Sequence, residues 1–190
     1  DNLPITMTNA HQLSVIGRVT CGGISQVLWS PRGDMLAIAS ASGISIYAGG
    51  FGGAPDQVLS DHDGPVKGIA FGANGGLLAS ASADTTVRLW RIDQETRQFA
   101  PFMLLRGHTD SVEDVAFSPD GALLASCGTD RTVRVWNPAS GTQPDVLEGH
   151  TDLVSGVSFG ATGHTLISGS RDHTIRCWDL TANGIGTVLG

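Results

Sequence analysis

Short apolar runs separated by turn residues recur along this chain. One example begins with VEDVAF at 112–117, followed by Ser118-Pro119-Asp120-Gly121, which places Pro second and Gly fourth in a turn. The run LLASCG at 123–128 comes next, and TVRVW at 132–136 then alternates apolar with polar residues. A short fourth run follows at 144–147. The pattern predicts four short antiparallel strands joined by tight turns.

The same pattern repeats with a period of about 43 residues. Trp90, Trp136 and Trp178 end three matching segments, and Tyr47 closes a weaker copy upstream of them. A fixed period of this length is the signature of repeat architectures. Four antiparallel strands per period are the pattern of a propeller blade. The sequence therefore predicts an all-β protein, a β-propeller built of four-stranded antiparallel blades, with four repeats in this chain.

Four polar and aromatic residues keep a rigid spacing within each strong copy. A Ser follows a His by eighteen residues, an Asp comes four residues later, and a Trp six residues after that. The three sets, which we call tetrads, are His62, Ser80, Asp84 and Trp90; His108, Ser126, Asp130 and Trp136; and His150, Ser168, Asp172 and Trp178. A Ser-His-Asp hydrolase needs one exposed nucleophile beside one oxyanion hole, whereas three equivalent sets indicate a repeated structural device. We therefore predict no catalytic residue.

The first strand of each strong copy carries an irregularity. Its apolar residues are spaced by three and then by two, as in Val112, Val115 and Phe117, whereas a regular strand alternates by two. The extra residue predicts a β-bulge, which redirects side chains at the rim of a sheet and is common near binding sites. The residues at the predicted bulges are Lys67, Glu113 and Ser155.

These motifs resemble the WD-repeat family. The resemblance rests on Gly107-His108, Ser118-Pro119-Asp120-Gly121, Asp130 and Trp136, and on the final Trp178-Asp179 pair, and it covers about residues 13 to 190. It implies that each tetrad forms a hydrogen-bonded chain tying the loop before the first strand to the middle hairpin. Because the family is a general interaction platform, the resemblance also implies a non-catalytic scaffold for protein–protein interaction.

The resemblance further implies a partner-binding face with three positions per blade. These positions lie three and five residues after the His and one residue before the Asp. In this sequence they are Pro65, Lys67 and Ala83; Ser111, Glu113 and Thr129; and Leu153, Ser155 and Arg171. Interface hot spots favour Arg and aromatic residues, so we expect Arg171 to act as an anchor. Lys67 and Glu113 would set the charge complementarity.

The first copy lacks the polar set. Thr20, Ile38, Ser42 and Tyr47 occupy its His, Ser, Asp and Trp positions, as expected of an atypical terminal repeat. In the stronger copies only the last keeps the Trp-Asp pair, since Arg91 and Asn137 follow the other two tryptophans. We expect an N-terminal extension at 1–12 and repeats over 13–190, divided at about 20–60, 61–105, 106–147 and 148–190.

Four repeats do not determine how many blades the complete propeller ring contains. Residues 13–19 have the pattern of a lone outer strand, and 187–190 that of the start of a repeat boundary. We favour part of a larger propeller over two copies forming an eight-bladed ring, and both over a closed four-bladed ring. The start at Asp1 without a leader indicates either a removed leader or a longer protein. An open arc would leave apolar faces uncovered, which favours self-association through the open blade edges.

Composition narrows the partners. A formal net charge of −7 argues against a general phosphate-binding surface, so we expect proteins or peptides as partners and no nucleic acid. No apolar stretch approaches the roughly 20 residues of a membrane-spanning helix, so we expect a soluble protein without membrane insertion. The sequence does not identify the compartment, although we slightly favour the cytoplasm.

The remaining cysteines, histidines and glycine-rich segment are assigned structural roles. Cys21, Cys127 and Cys177 have no metal-type spacing, so we expect small buried thiols, no metal site and no cofactor. His11, His164 and His173 share no spacing and are assigned to turns or solvent. The glycine run at 49–53 lacks the Lys-Ser/Thr of a phosphate loop and is assigned to a flexible connection. The alternative to a scaffold is a sensor or docking module of a larger regulatory protein or enzyme whose catalytic domain lies outside this chain.

Overall fold

The computed structural model describes residues 22–48, 53–141 and 144–181, together with the backbone of 185–189. All regular elements in these ranges are β-strands, which confirms the predicted fold class. Several sequence predictions lie outside the described residues. They are the extension at 1–12, the outer strand at 13–19, the assignments of His11, Thr20 and Cys21, and most of the glycine run at 49–53.

Sixteen strands in the described residues form four antiparallel sheets, each following the chain order. Blade 1 contains β1 (Ile24–Trp29), β2 (Leu36–Ser40), β3 (Gly43–Tyr47) and β4 (Gln57–Leu59). Blade 2 contains β5 (Val66–Phe71), β6 (Leu77–Ser82), β7 (Val87–Ile92) and β8 (Phe99–Leu105). Blade 3 contains β9 (Val112–Phe117), β10 (Leu124–Gly128), β11 (Val133–Trp136) and β12 (Asp145–Leu147). Blade 4 contains β13 (Val154–Phe159), β14 (Thr165–Ser170), β15 (Ile175–Asp179) and β16 (Ile185–Leu189).

The predicted turn at 118–121 is confirmed. The Gly121 N–H donates to the Ser118 carbonyl at 2.8 Å, and Gly121 has a φ of +73°, a conformation that glycine adopts without steric cost. The Ser118 hydroxyl donates to the Asp120 carboxylate at 2.6 Å and accepts the Leu123 N–H at 2.9 Å. Serine and aspartate thus hold the turn through their side chains, as expected of these residues in turns.

The predicted bulges are confirmed as well. The pairing of the first two strands shifts at Lys67, Glu113 and Ser155, where one residue is left without a cross-strand partner. Blade 1 has the same shift at Ser25. Every first strand therefore bends at the same position, close to the edge where it begins.

The core lies between successive blades, because each sheet is apolar on both faces. We call the face turned to the preceding blade the leading face, and the face turned to the next blade the trailing face. Between blades 2 and 3, Leu124 and Trp136 of the leading face pack against Ala79 and Leu89 of the trailing face. The trailing face of blade 3 packs in turn against Trp178 and its neighbours in blade 4.

The blades follow one another in chain order. The first strand of each later blade packs on the first two strands of the blade before it: β5 on β1 and β2, β9 on β5 and β6, and β13 on β9 and β10. The described residues do not show a closed ring. The expectation of buried thiols holds for Cys127, which is fully buried, but is wrong for Cys177, which is partly exposed on β15 of the last blade.

Candidate functional site

The tetrad of blade 3 forms one continuous chain of hydrogen bonds. The Trp136 indole Nε1–H donates to Ser126 Oγ at 2.9 Å, and Ser126 Oγ lies 2.7 Å from His108 Nε2. His108 Nδ1 lies 2.9 Å from Asp130 Oδ2. Because a carboxylate can only accept, Nδ1–H donates to Asp130; in the neutral imidazole Nε2 then accepts the Ser126 hydroxyl, whose oxygen accepts the indole N–H. With this arrangement every donor and acceptor that links the four side chains has a partner.

Blades 2 and 4 repeat this chain. The Trp-to-Ser, Ser-to-His and His-to-Asp distances are 3.0, 2.8 and 2.7 Å in blade 2, and all three are 2.8 Å in blade 4. In each blade the same Asp oxygen also accepts the backbone N–H of the residue after the His, at 3.0 or 3.1 Å. The chain thereby ties the loop before the first strand to the hairpin of the second and third strands.

A threonine in each of blades 2 to 4 extends the hydrogen-bonded chain, and the sequence reasoning missed it. The second oxygen of the Asp carboxylate accepts both the hydroxyl and the backbone N–H of the residue two positions later. These residues are Thr86, Thr132 and Thr174. The recurring Asp-x-Thr pattern is the signal that could have found them.

The residue between that Asp and Thr adopts a left-handed backbone in all three blades. Thr85, Arg131 and His173 have φ values of +72°, +67° and +68°. Such values are uncommon outside glycine and persist where surrounding contacts enforce them. The two hydrogen bonds that the preceding Asp carboxylate accepts from the following Thr span this residue and supply such contacts.

The surroundings of the tetrad Asp residues favour the ionised form of their carboxylates. Burial opposes the ionisation of Asp84, but hydrogen bonds from Thr86 and His62 outweigh it and lower the pKa of Asp84 to about 2. The pKa of Asp130 is likewise lowered, against burial, by its hydrogen bond with His108. Burial lowers the pKa of His62 despite the neighbouring carboxylate, so this imidazole is neutral at neutral pH. This state matches the donor directions derived from the geometry.

The serines of the tetrads are inaccessible. Ser80, Ser126 and Ser168 are each 0% exposed, and each hydroxyl accepts from a Trp and donates to a His within the chain. A nucleophile must reach its substrate and must have a free lone pair directed at it. The geometry of the tetrads therefore suits a structural tie and leaves no room for acyl transfer.

Blade 1 replaces the chain with apolar contacts. Ile38 and Tyr47, at the Ser and Trp positions, form a small buried cluster with Leu36. Ser42, at the Asp position, contacts Ser40 through their hydroxyls at 3.1 Å in a tight two-residue turn. The same blade geometry thus forms with an apolar centre.

The predicted partner-binding positions lie together at the edge of the blades where the first strands begin. In each of blades 2 to 4, the residue before the Asp donates its backbone N–H to the carbonyl of the residue three after the His. The pairs are Ala83 with Pro65 at 3.0 Å, Thr129 with Ser111 at 2.8 Å, and Arg171 with Leu153 at 2.9 Å. The bulge residue lies beside each pair, and all nine side chains are at least partly exposed. We call these nine residues the bulge face.

The blade 3 part of the bulge face is internally hydrogen-bonded. Glu113 Oε1 accepts the Ser111 hydroxyl at 2.6 Å and the Thr129 hydroxyl at 3.3 Å. Two hydroxyls therefore hold this carboxylate in place before any partner arrives. The neighbouring blades contribute cations at the same face, Lys67 in blade 2 and Arg171 in blade 4.

Other candidate chemistry has little support in the same ranges. Among the described residues, no group of three or more His, Cys, Asp or Glu side chains is placed to hold a metal ion. No helix in that part of the chain is long and apolar enough to cross a bilayer. His164 and His173 are exposed, and His173 lies in the hairpin turn of blade 4.

Comparison with curated proteins finds short local similarities. "Periodic tryptophan protein 2 homolog" of Neurospora crassa is 41% identical over 73 residues, which are 37% of this chain and 8% of the relative. "Periodic tryptophan protein 2" of Saccharomyces cerevisiae is 33% identical over 72 residues, again 37% and 8%. The mouse homolog is 59% identical over 34 residues, 18% of this chain and 4% of the relative. The chain thus spans less than a tenth of the length of the curated relatives it matches.

Comparison with protein families finds one repeat three times. The family described as "WD domain, G-beta repeat" matches residues 53–91, 99–137 and 141–179, which together make up more than half of the chain. Each matched segment ends at or next to the Trp of one tetrad. Blade 1, which lacks the polar set, lies almost entirely outside the matched segments. From these matches and the blade geometry, the chain belongs to the WD-repeat family.

Proposed function

We propose that this chain is a non-catalytic scaffold that binds another protein or a peptide across the bulge face of blades 2 to 4. The observation that carries the proposal is the repeated placement of three accessible side chains at one edge of each blade. A backbone hydrogen bond of 2.8 to 3.0 Å aligns two of them in each of blades 2 to 4, and the bulge presents the third. Rigid elements that hold exposed side chains in a repeated array are suited to recognition.

The charge pattern of the bulge face indicates the chemistry of the partner. Glu113 on the central blade is flanked along the series by Lys67 and Arg171. A complementary segment would carry a cation opposite Glu113 and acidic groups on each side of it, because such an arrangement favours one register over others. Pro65 and Leu153 add apolar contact area beside the charges. Since Glu113 is already held by two hydroxyls, its carboxylate loses little freedom on binding.

The tetrads support the non-catalytic part of the proposal. Their serines are fully buried, and their imidazoles are engaged at both nitrogens. These hydrogen bonds stabilise the conformation of the loops that lead to the bulge face. The tetrads thus act as positioning residues for the binding edge.

Lys67 makes a direct test feasible, because it is the only lysine in the sequence. An amine-directed crosslinker added to the purified chain in source lysate will react at Lys67 and at the α-amine. We expect crosslinked peptides that join Lys67 to a recurring partner. The triple variant Lys67→Ala, Glu113→Ala, Arg171→Ala should capture that partner at least tenfold less in a pull-down.

A matched control variant removes two charged side chains at the opposite edge of the blades. Arg32 and Glu95 are exposed in turns that join strands there, so Arg32→Ala with Glu95→Ala should leave capture unchanged. Equal partner recovery by the parent and the bulge-face variant would reject the proposed face. Loss of capture in the control variant alone would place the binding surface at the opposite edge.

A further inference from the structure

Two arginines line one cavity at the edge of the blades opposite the bulge face. The cavity lies between blades 1 and 2 and has a volume of about 480 Å³. Arg32 reaches it from the turn between β1 and β2, and Arg91 from near the end of β7. Leu77 and Ile92 contribute apolar surface to the same cavity. A few convergent polar groups beside apolar surface are the usual composition of a site for a small ligand.

A contact with an aromatic ring positions the Arg91 guanidinium. Its central carbon lies 3.9 Å from the centroid of the Phe102 ring on β8. The face of an aromatic ring attracts a cation without engaging the N–H groups of that cation as a hydrogen-bond acceptor would. No hydrogen bond or ion pair within the described residues engages the Arg91 side chain, so its donors remain available. The cation is therefore held in place before a ligand binds.

Two carboxylates of the surrounding turns are engaged elsewhere. Asp34 pairs with Arg97 at 2.5 Å, which joins the turn after β1 to the turn after β7. Asp93 Oδ1 accepts two backbone N–H groups of its own turn at 3.0 and 2.8 Å. Neither Arg32 nor Arg91 forms an ion pair with the described residues, and no Asp or Glu among them lines the cavity. The two guanidinium groups therefore place positive charge at the cavity that no neighbouring carboxylate pairs with.

Two side-chain amides also line the cavity. Asn74 Oδ1 accepts the Gly76 N–H at 2.9 Å, which leaves the N–H groups of the Asn74 amide to donate elsewhere. Gln94 donates one N–H to the Ile92 carbonyl at 3.5 Å and retains a second one. The Gly76 carbonyl accepts the Ile92 N–H at 3.1 Å and so joins the segments that carry these amides. Donors from three turns, including that of Arg32, therefore meet at one cavity.

The donors of the cavity indicate the charge of its ligand. Arg32 and Arg91 are both permanently charged, so a dianion balances the two cations whereas a single carboxylate balances only one. Guanidinium groups form paired N–H···O bonds with phosphate oxygens. Asn74 and Gln94 supply further donors, and a phosphate group has enough acceptor oxygens for all of them. Among common biological anions, a phosphate group thus fits both the charge and the number of donors.

The formal net charge of −7 is compatible with a local phosphate site. Salt screens interactions between exposed charges beyond about 8 Å at physiological ionic strength. A surface that binds nucleic acid needs many cations along one face, whereas this cavity needs only the two that line it. Contacts within the cavity therefore decide the affinity more than distant carboxylates do.

We propose that the cavity between blades 1 and 2 binds a phosphate dianion, either free or as a monoester, through Arg32 and Arg91. Asn74 and Gln94 donate further hydrogen bonds to the same group. The site lies at the edge opposite the bulge face and uses none of the nine residues of that face. It is therefore independent of partner binding at the bulge face, and either proposal can fail without the other.

An NMR titration of the purified 190-residue chain with inorganic phosphate at constant ionic strength tests the site. The signals of the Gly76 amide and of the Arg91 Nε–H should shift and saturate. Arg32→Gln and Arg91→Gln should each weaken the affinity about tenfold, because each removes charge-assisted hydrogen bonds. Arg106→Gln is the matched control, since Arg106 is exposed in the loop before β9 and its loss should leave the affinity unchanged. The amide spectra show whether each variant is folded, and Arg32→Gln, in an exposed turn, carries the test if Arg91→Gln unfolds.

Comparison of ligands identifies the source of the phosphate group. Tighter binding of a phosphoserine with blocked ends than of inorganic phosphate would assign the cavity to a phosphorylated chain, and the reverse order would assign it to the free ion. Acetate should bind about tenfold more weakly than inorganic phosphate, because it carries a single charge. Equal phosphate affinity of the parent and both cavity variants would overturn the proposal. Equal binding of acetate and phosphate, or the same loss of affinity in Arg106→Gln, would also overturn it.

Discussion

Blade 1 and blade 3 pair their first three strands in the same register, yet different residues stabilise their centres. In blade 3, Ser126 and Trp136 belong to a hydrogen-bonded chain that reaches the loop before the first strand. In blade 1 the same positions carry Ile38 and Tyr47, which pack with Leu36 as a buried apolar cluster. The strand pairing itself therefore does not require the polar chain.

The difference shows what the tetrad adds to a blade. A buried apolar centre stabilises the sheet through the area that it removes from water, and this effect has no direction. A hydrogen-bonded chain is directional. It holds the loop after the His, because the backbone N–H of the residue after the His donates to the Asp carboxylate at 3.0 to 3.1 Å. Substitutions in the two centres should consequently have different effects on overall stability and on local opening of the loop.

The largest effect is expected in the apolar centre. Ile38→Ser removes a side chain that is 4% exposed and leaves a cavity with a polar group, which should lower the free energy of unfolding by about 3 kcal/mol. Urea unfolding followed by tryptophan fluorescence measures the change. Val58→Ser in the same blade is the control, because Val58 is 50% exposed and should shift stability by less than about 0.5 kcal/mol. Equal effects of the two substitutions would contradict the buried apolar centre.

Ser126→Ala should break the polar centre at its middle. The substitution leaves the Trp136 indole N–H and His108 Nε2 without their shared partner, at a cost of about 2 to 3 kcal/mol. Hydrogen exchange of backbone amides should show faster opening of the loop around His108 than of blade 1. The exposed Ser158 provides the control, since Ser158→Ala should leave the urea midpoint unchanged. A stable Ser126→Ala variant with an unaltered loop would show that the chain is dispensable.

Low pH should destabilise the blades that contain a tetrad more than blade 1, because the described part of blade 1 has no His–Asp pair at its centre. The pKa of Asp84 is held at about 2, so its contribution is present above about pH 4 and is lost between pH 4 and pH 2, by up to about 2 kcal/mol. Burial lowers the pKa of His62 from 6.5, so the unfolded chain binds this proton first and stability also falls as the pH drops through that value.

Unfolding free energies across a pH series test this sign. The free energy of unfolding of the Asp84→Asn variant should fall less between pH 4 and pH 2 than that of the parent, with the remaining fall due to carboxylates such as Asp130 and Asp172, whose pKa values are also lowered. The variant should also be less stable than the parent at pH 7. Amide exchange, corrected for its intrinsic pH dependence, should show acid opening in blade 2 before blade 1. A parent that gains stability as the pH falls from 7 to 5 would reverse the assignment of a neutral His62.

The smallest effect concerns the threonine that extends the chain. Thr132→Val keeps the shape of the side chain but removes the hydroxyl that donates to Asp130 at 2.8 Å, at a cost of about 1 kcal/mol. Thr151→Val is the control, because Thr151 is exposed and its backbone N–H, not its hydroxyl, bonds to Asp172. If both variants unfold at the same urea concentration as the parent, the hydroxyl contributes nothing.

The tetrads were predictable because their spacing repeats without a gap. A His, Ser, Asp and Trp at constant offsets on paired strands must meet in space once the hairpins form, and three copies make coincidence implausible. The bulge at Glu113 was predictable from the change in apolar spacing, and the turn at 118–121 from its Pro and Gly. Local patterns of this kind depend on neighbours within one blade, which is why sequence reasoning reached them.

Contacts between blades were beyond that reasoning. Gln26 and Asp114 resemble ordinary polar residues of a strand, and their acceptor role for the next blade depends on how two sheets pack. The threonines after the tetrad Asp were missed for a different reason. Their Asp-x-Thr pattern was visible, but only the left-handed turn between the two residues brings the hydroxyl back to the carboxylate.

The sequence by itself determined the period, the four strands of each blade, the bulges and the polar sets, because each is written in local spacing and in residues that turns require. Only the tertiary structure decided which faces are covered and which are not. Equivalent apolar residues, such as Ile69 and Val27, are buried in one blade and half exposed in another. Exposure depends on the neighbouring sheet and not on the residue itself, so it could be established only from the packed blades.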